Sequence, residues 1–232
     1  MIVGGILGSM PSRPQRPEPA EAPEPRGARR KRETRSRLLD AAFRLMAEKG
    51  IEGVAINEIT EAADVGFGSF YNHFESKEAI YAAVVDWLFA DFGDWLDRLT
   101  TDISDPAEVV SVAIRHTVMR AQRDPLWGQF LIREGVSMRA LNRGLGHRLM
   151  RDIRRGISAG RFSDADPFLS YLAIGGTVLL SISAVSIGVD VGYSIKNMPE
   201  RAAAMALPTL GLGRAEAERI SRRPLPGNPA RT

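Results

Sequence analysis

The sequence predicts an all-α chain: a small N-terminal three-helix unit ending in a helix-turn-helix, then a larger helical domain. Three observations predict it. Apolar residues recur three and four apart along most of the chain, the period of helices buried on one face. The segments are punctuated by helix starts: Ser76 before Lys77-Glu78, and the pairs Asp105-Pro106, Asp124-Pro125 and Asp166-Pro167. Two short amphipathic segments also meet at a tight break, Asp64-Val65-Gly66.

Residues 1–29 are rich in Pro, Arg, Glu and Ala without a helical period, so a disordered tail is expected. Residues 26–37 hold seven basic side chains and one acidic one. A solvated helix start would account for them. The preferred reading is a basic arm lying along a sugar-phosphate backbone, because a candidate duplex reader follows. The first helix is expected over about 33–49, with Leu38, Ala42, Leu45 and Met46 as its stripe and Gly50 just past its end.

The second helix has one apolar face, made by Ile56, Ile59, Ala62 and Ala63. Val65 is expected as the buried plug of the turn. The third helix is expected to run from near Phe67 through Phe74. Phe67, Phe70 and Phe74 can face the core, which leaves Ser69, Asn72 and His73 to solvent with the Tyr71 hydroxyl at the edge. Gly66 and Gly68 keep its first turn slim, so backbone can approach a base edge or phosphate closely.

A helix with rings behind and small polar groups in front fits a DNA major groove. Phe67, Gly68, Ser69 and Asn72 are the candidates for base edges. Tyr71, His73 and Lys77 are the candidates for phosphates, with Arg30, Lys31 and Arg35 in the arm. Plainer readings stand beside these: Tyr71 as core, His73 as a packing imidazole, Asn72 as a solvated amide. The DNA-binding domain is thus placed at 30–78, with its helix-turn-helix at about 55–74.

A larger helical domain for ligand binding and dimerisation is placed at 79–212. Its first helix runs from Lys77 to about Leu99, with Ile80, Val84, Trp87, Leu88, Trp95, Leu96 and Leu99 at helical spacing. Further helices are expected over about 106–123, 126–135 and 138–160, from Pro167, and over 199–212 with a kink at Pro208. His116, Met119, Trp127, Phe130, Phe162, Phe168 and Leu172 are large enough to line a pocket for an apolar ligand anchored by His116, although they could simply fill the core. Eight arginines between 133 and 161 read as the polar side of an amphipathic helix, or as a cationic mouth for an acyl thioester.

Residues 172–189 carry no charge, at the threshold for a membrane span. Ser170, Thr177, Ser181, Ser183 and Ser186 interrupt the apolar run and Asp190 follows it, so no span is expected. Small residues on this helix and on the last one suit close helix contact instead. A two-fold dimer is expected through Gly175, Gly176, Leu179, Ser183, Ala203 and Leu207. Residues 213–232 read as a frayed basic tail.

The net charge of +3 is uneven: residues 1–37 carry +5, 38–199 carry −5 and 200–232 carry +3. Residues 38–78 set three cations against eight carboxylates, so attraction to phosphate falls to the arm before them. There is no cysteine, and His73, His116 and His147 are far apart, so neither a thiolate site nor metal-ligand spacing is present. With no glycine-rich phosphate loop and no paired carboxylates near a histidine, an enzyme is not expected, nor any cofactor. The short apolar N-terminus lacks a basic start, and a cytoplasmic protein is expected.

The run Gly68-Ser69-Phe70-Tyr71-Asn72-His73-Phe74, followed by Ser76-Lys77-Glu78, resembles the signature of the TetR family of transcriptional regulators. Leu38-Leu39-Asp40-Ala41-Ala42 and Leu45-Met46-Ala47-Glu48-Lys49-Gly50 are similar to that family's first helix. The resemblance covers about residues 34–84. Two positions depart: Val54 and Ala55 stand where Thr or Ser usually caps the second helix, and Asp64 stands where Gly is usual. The absent cap should cost that helix about 1 kcal/mol. The resemblance implies a homodimer on a near-palindromic double-stranded operator, released by a small molecule that shifts the fourth helix. The alternative is a helical dimer or adaptor that does not bind DNA.

Overall fold

The computed structural model describes residues 25–135, 144–163, 166–186 and 194–227. The expected tail up to residue 24, part of the 138–160 helix and residues 228–232 lie outside these. Among the described residues the chain is helical: α1 Arg26–Lys49, α2 Ile56–Ala62, α3 Phe67–Phe70, α4 Lys77–Leu99, α5 Pro106–Arg123, α6 Pro125–Glu134, α7 Gly144–Ser158, α8 Pro167–Ser186, α9 Met198–Ala206 and α10 Arg214–Ser221, with a 3₁₀ turn at Leu207–Leu210 between the last two.

The helix starts follow their capping chemistry. Ser76 Oγ accepts from Ala79 N–H at 3.2 Å, Asp105 Oδ1 from Ala107 N–H at 3.0 Å, and Asp124 Oδ1 from Trp127 N–H at 3.2 Å. Pro106, Pro125 and Pro167 follow at positions where a missing N–H is harmless. At α2 the N-cap Ala55 has no side-chain acceptor. Its own N–H instead donates to Glu58 Oε2 at 2.9 Å, and Lys49 Nζ holds the other oxygen of that carboxylate. Half of a capping box thus remains where a hydroxyl is missing.

Three helix limits differ from expectation. α1 begins at Arg26, so most of the expected arm is helix. Pro25, at φ −54°, presents its carbonyl to Ala28 and Arg29 N–H, and Arg29 pairs with Glu33 one turn on. α3 closes after one turn. Asn72 N–H bonds back to Ser69 O and His73 N–H to Phe70 O, so the chain tightens into 3₁₀-type turns before Phe74. Residues 214–221 form α10 where a frayed tail is expected. Ala217 and Ile220 are almost wholly buried, and Arg161 ties Glu216 to Asp105. The expected kink at Pro208 is realised as the 3₁₀ turn, which Gly211 ends at φ 90°.

The core is one continuous cluster running from Leu38 to Ile220. α4 connects its parts. Its buried stripe is Ile80, Val84, Val85, Leu88, Phe89, Phe92, Leu96 and Leu99. Trp87, expected on that stripe, is exposed, and Phe89 and Phe92 take the inward positions. α4 packs on α1 at one end and on α7 at the other, while α1 also meets α6 through an edge contact of Phe43 on Phe130 at 5.7 Å. α8 packs against α5, α6, α7 and α9.

Candidate DNA-reading surface and ligand cavity

The helix-turn-helix turns at Asp64, whose φ is 50°. Ala63 N–H closes on Ile59 O and Val65 N–H on Thr60 O, which reverses the chain. Val65 is only half-buried, but it packs against the core as the expected plug. Phe70 is fully buried and Phe74 nearly so, and together they anchor α3 to the body.

Phe67 does not join them. It is 50% exposed, beside the 53% exposed Tyr71, with the two rings in edge contact at 5.6 Å. Phe67 stands at the first position of α3, and its ring packs on Tyr71 rather than on the core. Gly68 and Asn72 are exposed and Ser69 is half-buried. A Cβ added at Gly66 or Gly68 would meet no protein atom within 4 Å. The outer surface of α3 is therefore a slim backbone flanked by two rings, a hydroxyl and an amide.

α1 extends to Arg26, and two of its basic residues, Lys31 and Arg35, lie close enough to His73 to affect its charge. Arg30, Lys31 and Arg35 are all exposed. The Arg35 guanidinium lies 5.1 Å from the centre of the Phe74 ring. Burial, with the charges of Lys31 and Arg35, lowers the pKa of His73 below its ordinary value. His73 is thus drawn to the neutral form, and its buried Nδ1 has no protein partner. Lys77 starts α4 with a largely covered side chain, 4.0 Å from the exposed Glu52 carboxylate.

Farther along α4 lies a cavity of about 110 Å³, walled by α4, α5, α7 and α8. Phe89, Leu96, Ile114, Leu149, Ile174 and Val178 give it apolar walls, and Asp97, Thr100, Thr117, Arg148, Asp152 and Tyr171 supply polar groups. Arg148 donates to Asp97 at 2.9 Å and also pairs with Asp94, so α7 is clamped to α4 at the cavity rim. Arg151 joins them by donating to Asp97 at 2.7 Å. Arg148 and Arg151 are therefore bound to carboxylates, and Arg133 donates to Met46 O at 3.0 Å. They do not form an open cationic mouth. Burial raises the Asp152 pKa, against the lowering effect of Arg151.

None of the seven side chains expected around a pocket lines this cavity. Trp127 and Phe130 are 1% exposed, in a ring cluster with Phe89 and Phe92. Phe162 is buried against Gly156, where a Cβ would fall 2.1 Å from its ring. Met119 is half-buried, and His116 sits edge-on to Trp95 at 4.9 Å. Phe168 and Leu172 are about half exposed on the outer side of α8. Size alone selects core rings. The cavity is walled by medium aliphatics and by charges that pair across helices, which periodicity does not single out.

The residues expected at a dimer interface divide. Ala203 and Leu207 are fully buried inside the protomer, against the expectation that they face a partner. Gly175 and Leu179 line the cavity. Gly176 and Ser183 are half-buried. On α8 the apolar residues that face out include Phe168, Leu169, Leu172, Ala173 and Leu180, with Met205 on α9. α8 is the one described helix long and apolar enough to cross a membrane by length and composition, and its other face is fixed in the core by Tyr171, Ile174 and Ile182.

Comparison with known proteins matches both halves of this architecture. Residues 38–84 fit the family model described as bacterial regulatory proteins, tetR family, and residues 105–223 fit the tetracyclin repressor-like C-terminal domain. The HTH-type transcriptional repressor DhaR of Mycobacterium sp. (strain GP1) is 40% identical over 72 residues, 31% of this chain and 36% of that protein. The repressor KstR2 of Mycobacterium tuberculosis is 36% identical over 67 residues, 27% of this chain and 34% of its own length. The chain thus spans about a third of the length of these curated relatives.

Among solved structures, RolR in complex with resorcinol superposes with a TM-score of 0.66 at 37% identity, covering 87% of this chain and 99% of that one. The regulator FadR from Bacillus subtilis in complex with stearoyl-CoA superposes with a TM-score of 0.64 at 18% identity, over 77% of this chain and 99% of that one, a likeness of fold alone. The two matched models together take in the helix-turn-helix and most of the helical domain, and the chain belongs to the TetR family of bacterial regulatory proteins.

Proposed function

We propose that the protein is a homodimeric transcriptional repressor that reads a near-palindromic DNA operator and releases it when a small hydroxylated aromatic molecule enters the cavity beside α4. One observation carries this reading: α4 begins at the reader, at Lys77, and carries cavity residues Phe89, Leu96 and Asp97 farther along. A helix of that length spans about 34 Å, so a ligand at one end can tilt the reader at the other.

Base edges are assigned to Phe67, Gly68, Ser69 and Asn72, which the fold leaves accessible. Phosphates are assigned to Tyr71, His73 and Lys77 with Arg30, Lys31 and Arg35. A second copy joined through the outer face of α8 would set the two readers about one helical turn of DNA apart, ~34 Å. The action is that of a cytoplasmic protein.

The ligand class follows from the cavity. Its volume is about 110 Å³, roughly the room of seven to ten ordered waters. That suits a single ring. The carboxylates of Asp97 and Asp152 and the hydroxyls of Thr100 and Thr117 can accept from phenolic O–H groups. RolR, which is similar over most of this chain, is solved with resorcinol. The ligand must bind the splayed state more tightly than the DNA-bound one, since equal affinity would shift nothing.

The test is to select a preferred duplex from a random pool and follow its affinity by fluorescence anisotropy while resorcinol and related monocyclic phenols are titrated in. The expectation is a preferred palindrome, with affinity lost on adding at least one phenol. Equal binding to all duplexes at moderate ionic strength would overturn the DNA reading. Unchanged affinity with every phenol would overturn the ligand reading.

A further inference from the structure

A second cavity, of about 440 Å³, opens where the start of α9 meets the end of α10 and the outer side of α5. Its wall includes Arg115, Asn197, Glu200, Arg201, Ser221 and Arg222. We propose that it is a separate binding site for a small oxyanion, the phosphate group of a free ion or of a small metabolite.

The charge on the wall is the first ground. Three guanidiniums face one carboxylate among the described residues of the wall. The way these cations are held is the second. Arg115 Nη1 donates to Arg223 O at 2.7 Å, and Arg201 donates to Ser194 O. Backbone carbonyls position a guanidinium without neutralising it. The one carboxylate, Glu200, stands 3.4 Å from Arg115 Nη2, and its side chain is a third exposed.

Arg115 supplies the third and most specific ground. It is 5% exposed, and its Nε is buried without any acceptor in the protein. A buried donor left unpaired is costly, and native structures nearly always satisfy it. Here the orphan belongs to a residue on the wall of a cationic cavity. Arginine presents its N–H groups as a planar fork that suits phosphate oxygens. An oxyanion seated there would offset the surplus charge of Arg201 and Arg222 beside the incompletely paired Arg115, with the Asn197 amide on the same wall.

This site is distinct from the cavity beside α4. Arg115 lies two residues from both Ala113 and Thr117, which line that other cavity, and two residues turn a helix by about 200°. The two cavities therefore flank α5 from opposite sides. The proposal does not depend on what the first cavity binds.

Inorganic phosphate is the probe, added to the full chain without DNA at constant ionic strength set with sodium chloride. Binding is read by calorimetry and by the thermal midpoint. The native chain should show saturable binding and a raised midpoint. Arg222→Gln and Arg201→Gln should each weaken phosphate roughly tenfold, the scale of one charge-assisted hydrogen bond removed. Glu200→Gln should tighten it, because Glu200 is the acidic side chain among the described residues on the cavity wall, and a loss of folding cannot mimic that result. Absence of saturable phosphate binding, full affinity in Arg222→Gln, or weaker binding in Glu200→Gln would each overturn the proposal. Phosphate held instead by the DNA-reading surface would be lost in Lys31→Gln and kept in Arg222→Gln, which likewise overturns it. Titrating phosphorylated sugars in the same way separates a free ion from a phosphorylated metabolite as the tighter occupant.

Discussion

Arg37 donates to the main-chain carbonyl of Asp64 at 2.7 Å and to its carboxylate at 2.8 Å, so α1 fixes the residue that turns the helix-turn-helix. Asp64 holds φ 50°, a left-handed conformation that Asp tolerates better than most side chains. The Asp64 side chain is 98% exposed, so its ion pair contributes little and the backbone conformation dominates. Asp64→Ala should therefore cost about 1 kcal/mol. Asp64→Gly should stay within about 0.5 kcal/mol of the native chain, since glycine adopts this φ freely. Urea unfolding of both variants checks this, and equal losses in the two would mean that the carboxylate, not the backbone, decides.

Gly68 separates fold from function. A methyl group there meets no protein atom within 4 Å, so Gly68→Ala should leave the unfolding midpoint unchanged or slightly raised. In the complex the same methyl would stand between the α3 backbone and the DNA. Operator affinity should fall roughly tenfold or more, about 1.4 kcal/mol. Anisotropy titrations set beside thermal melts read both quantities. Undiminished affinity would mean that the start of α3 does not approach the duplex closely.

The cationic rod at the start of α1 should govern the salt dependence. Lys31→Gln with Arg35→Gln should make the slope of log affinity against log salt less negative by about 1.8, near 0.9 for each phosphate that is no longer neutralised. Preference among duplexes should survive, because these side chains carry no sequence information. The slope is measured between moderate and low salt on the selected operator and on a scrambled duplex. An unchanged slope would remove both residues from the interface.

What the sequence made legible follows from where local chemistry decides. Ser76 and Asp105 cap as expected because an N-cap needs only its own next turn. Phe70 and Phe74 fall inside as their spacing implies. Phe67 does not, although it lies three residues before Phe70 in the same turn: at the first position of α3 its ring packs on Tyr71 instead of the core. The cavity was illegible for another reason. Asp97, Arg148 and Asp152 come together from α4 and α7 across more than fifty residues of sequence, and periodicity carries no cross-helix register. Ala203 and Leu207 misled because small and medium apolar residues suit the interior of a protomer as well as an interface. α10 was hidden by its polar composition, although Ala217 and Ile220 suffice to dock it.

His116 should make the protein acid-sensitive in a definite window. Burial, with the charges of Arg115 and Arg123, lowers its pKa from 6.5 to about 4. Between these values the unfolded chain binds the proton and the folded chain does not. The stability it contributes is fully present above about pH 6.5 and is lost as the pH falls towards 4. Its partial solvent access reduces the effect to about 1–2 kcal/mol. His73 shifts in the same direction and Asp152 in the opposite one, so the informative quantity is a difference. His116→Gln should flatten the stability profile between pH 7 and pH 4 relative to the native chain. Parallel profiles would show that the imidazole does not titrate across folding.

The outer face of α8 should hold the dimer together. Leu169, Leu172, Ala173, Gly176 and Leu180 fall at helical intervals of three and four, and none is fully buried. Leu180 is 73% exposed and Met205 on neighbouring α9 is 71% exposed. An exposed apolar surface of this kind calls for a partner. A two-fold pairing also counts each residue twice, so one substitution acts at two places in the interface. Burying one leucine contributes about 1.5–3 kcal/mol. Leu180→Glu should therefore weaken self-association by roughly a hundredfold or more while leaving each protomer folded, because the side chain touches little of its own core. Sedimentation should show monomer, circular dichroism should show unchanged helix, and operator affinity should collapse because one reader alone spans half a palindrome. Ala203→Glu is the contrasting variant: that position is fully buried in the protomer, so its loss of assembly should come with loss of fold. If Leu180→Glu remains dimeric, the interface lies elsewhere.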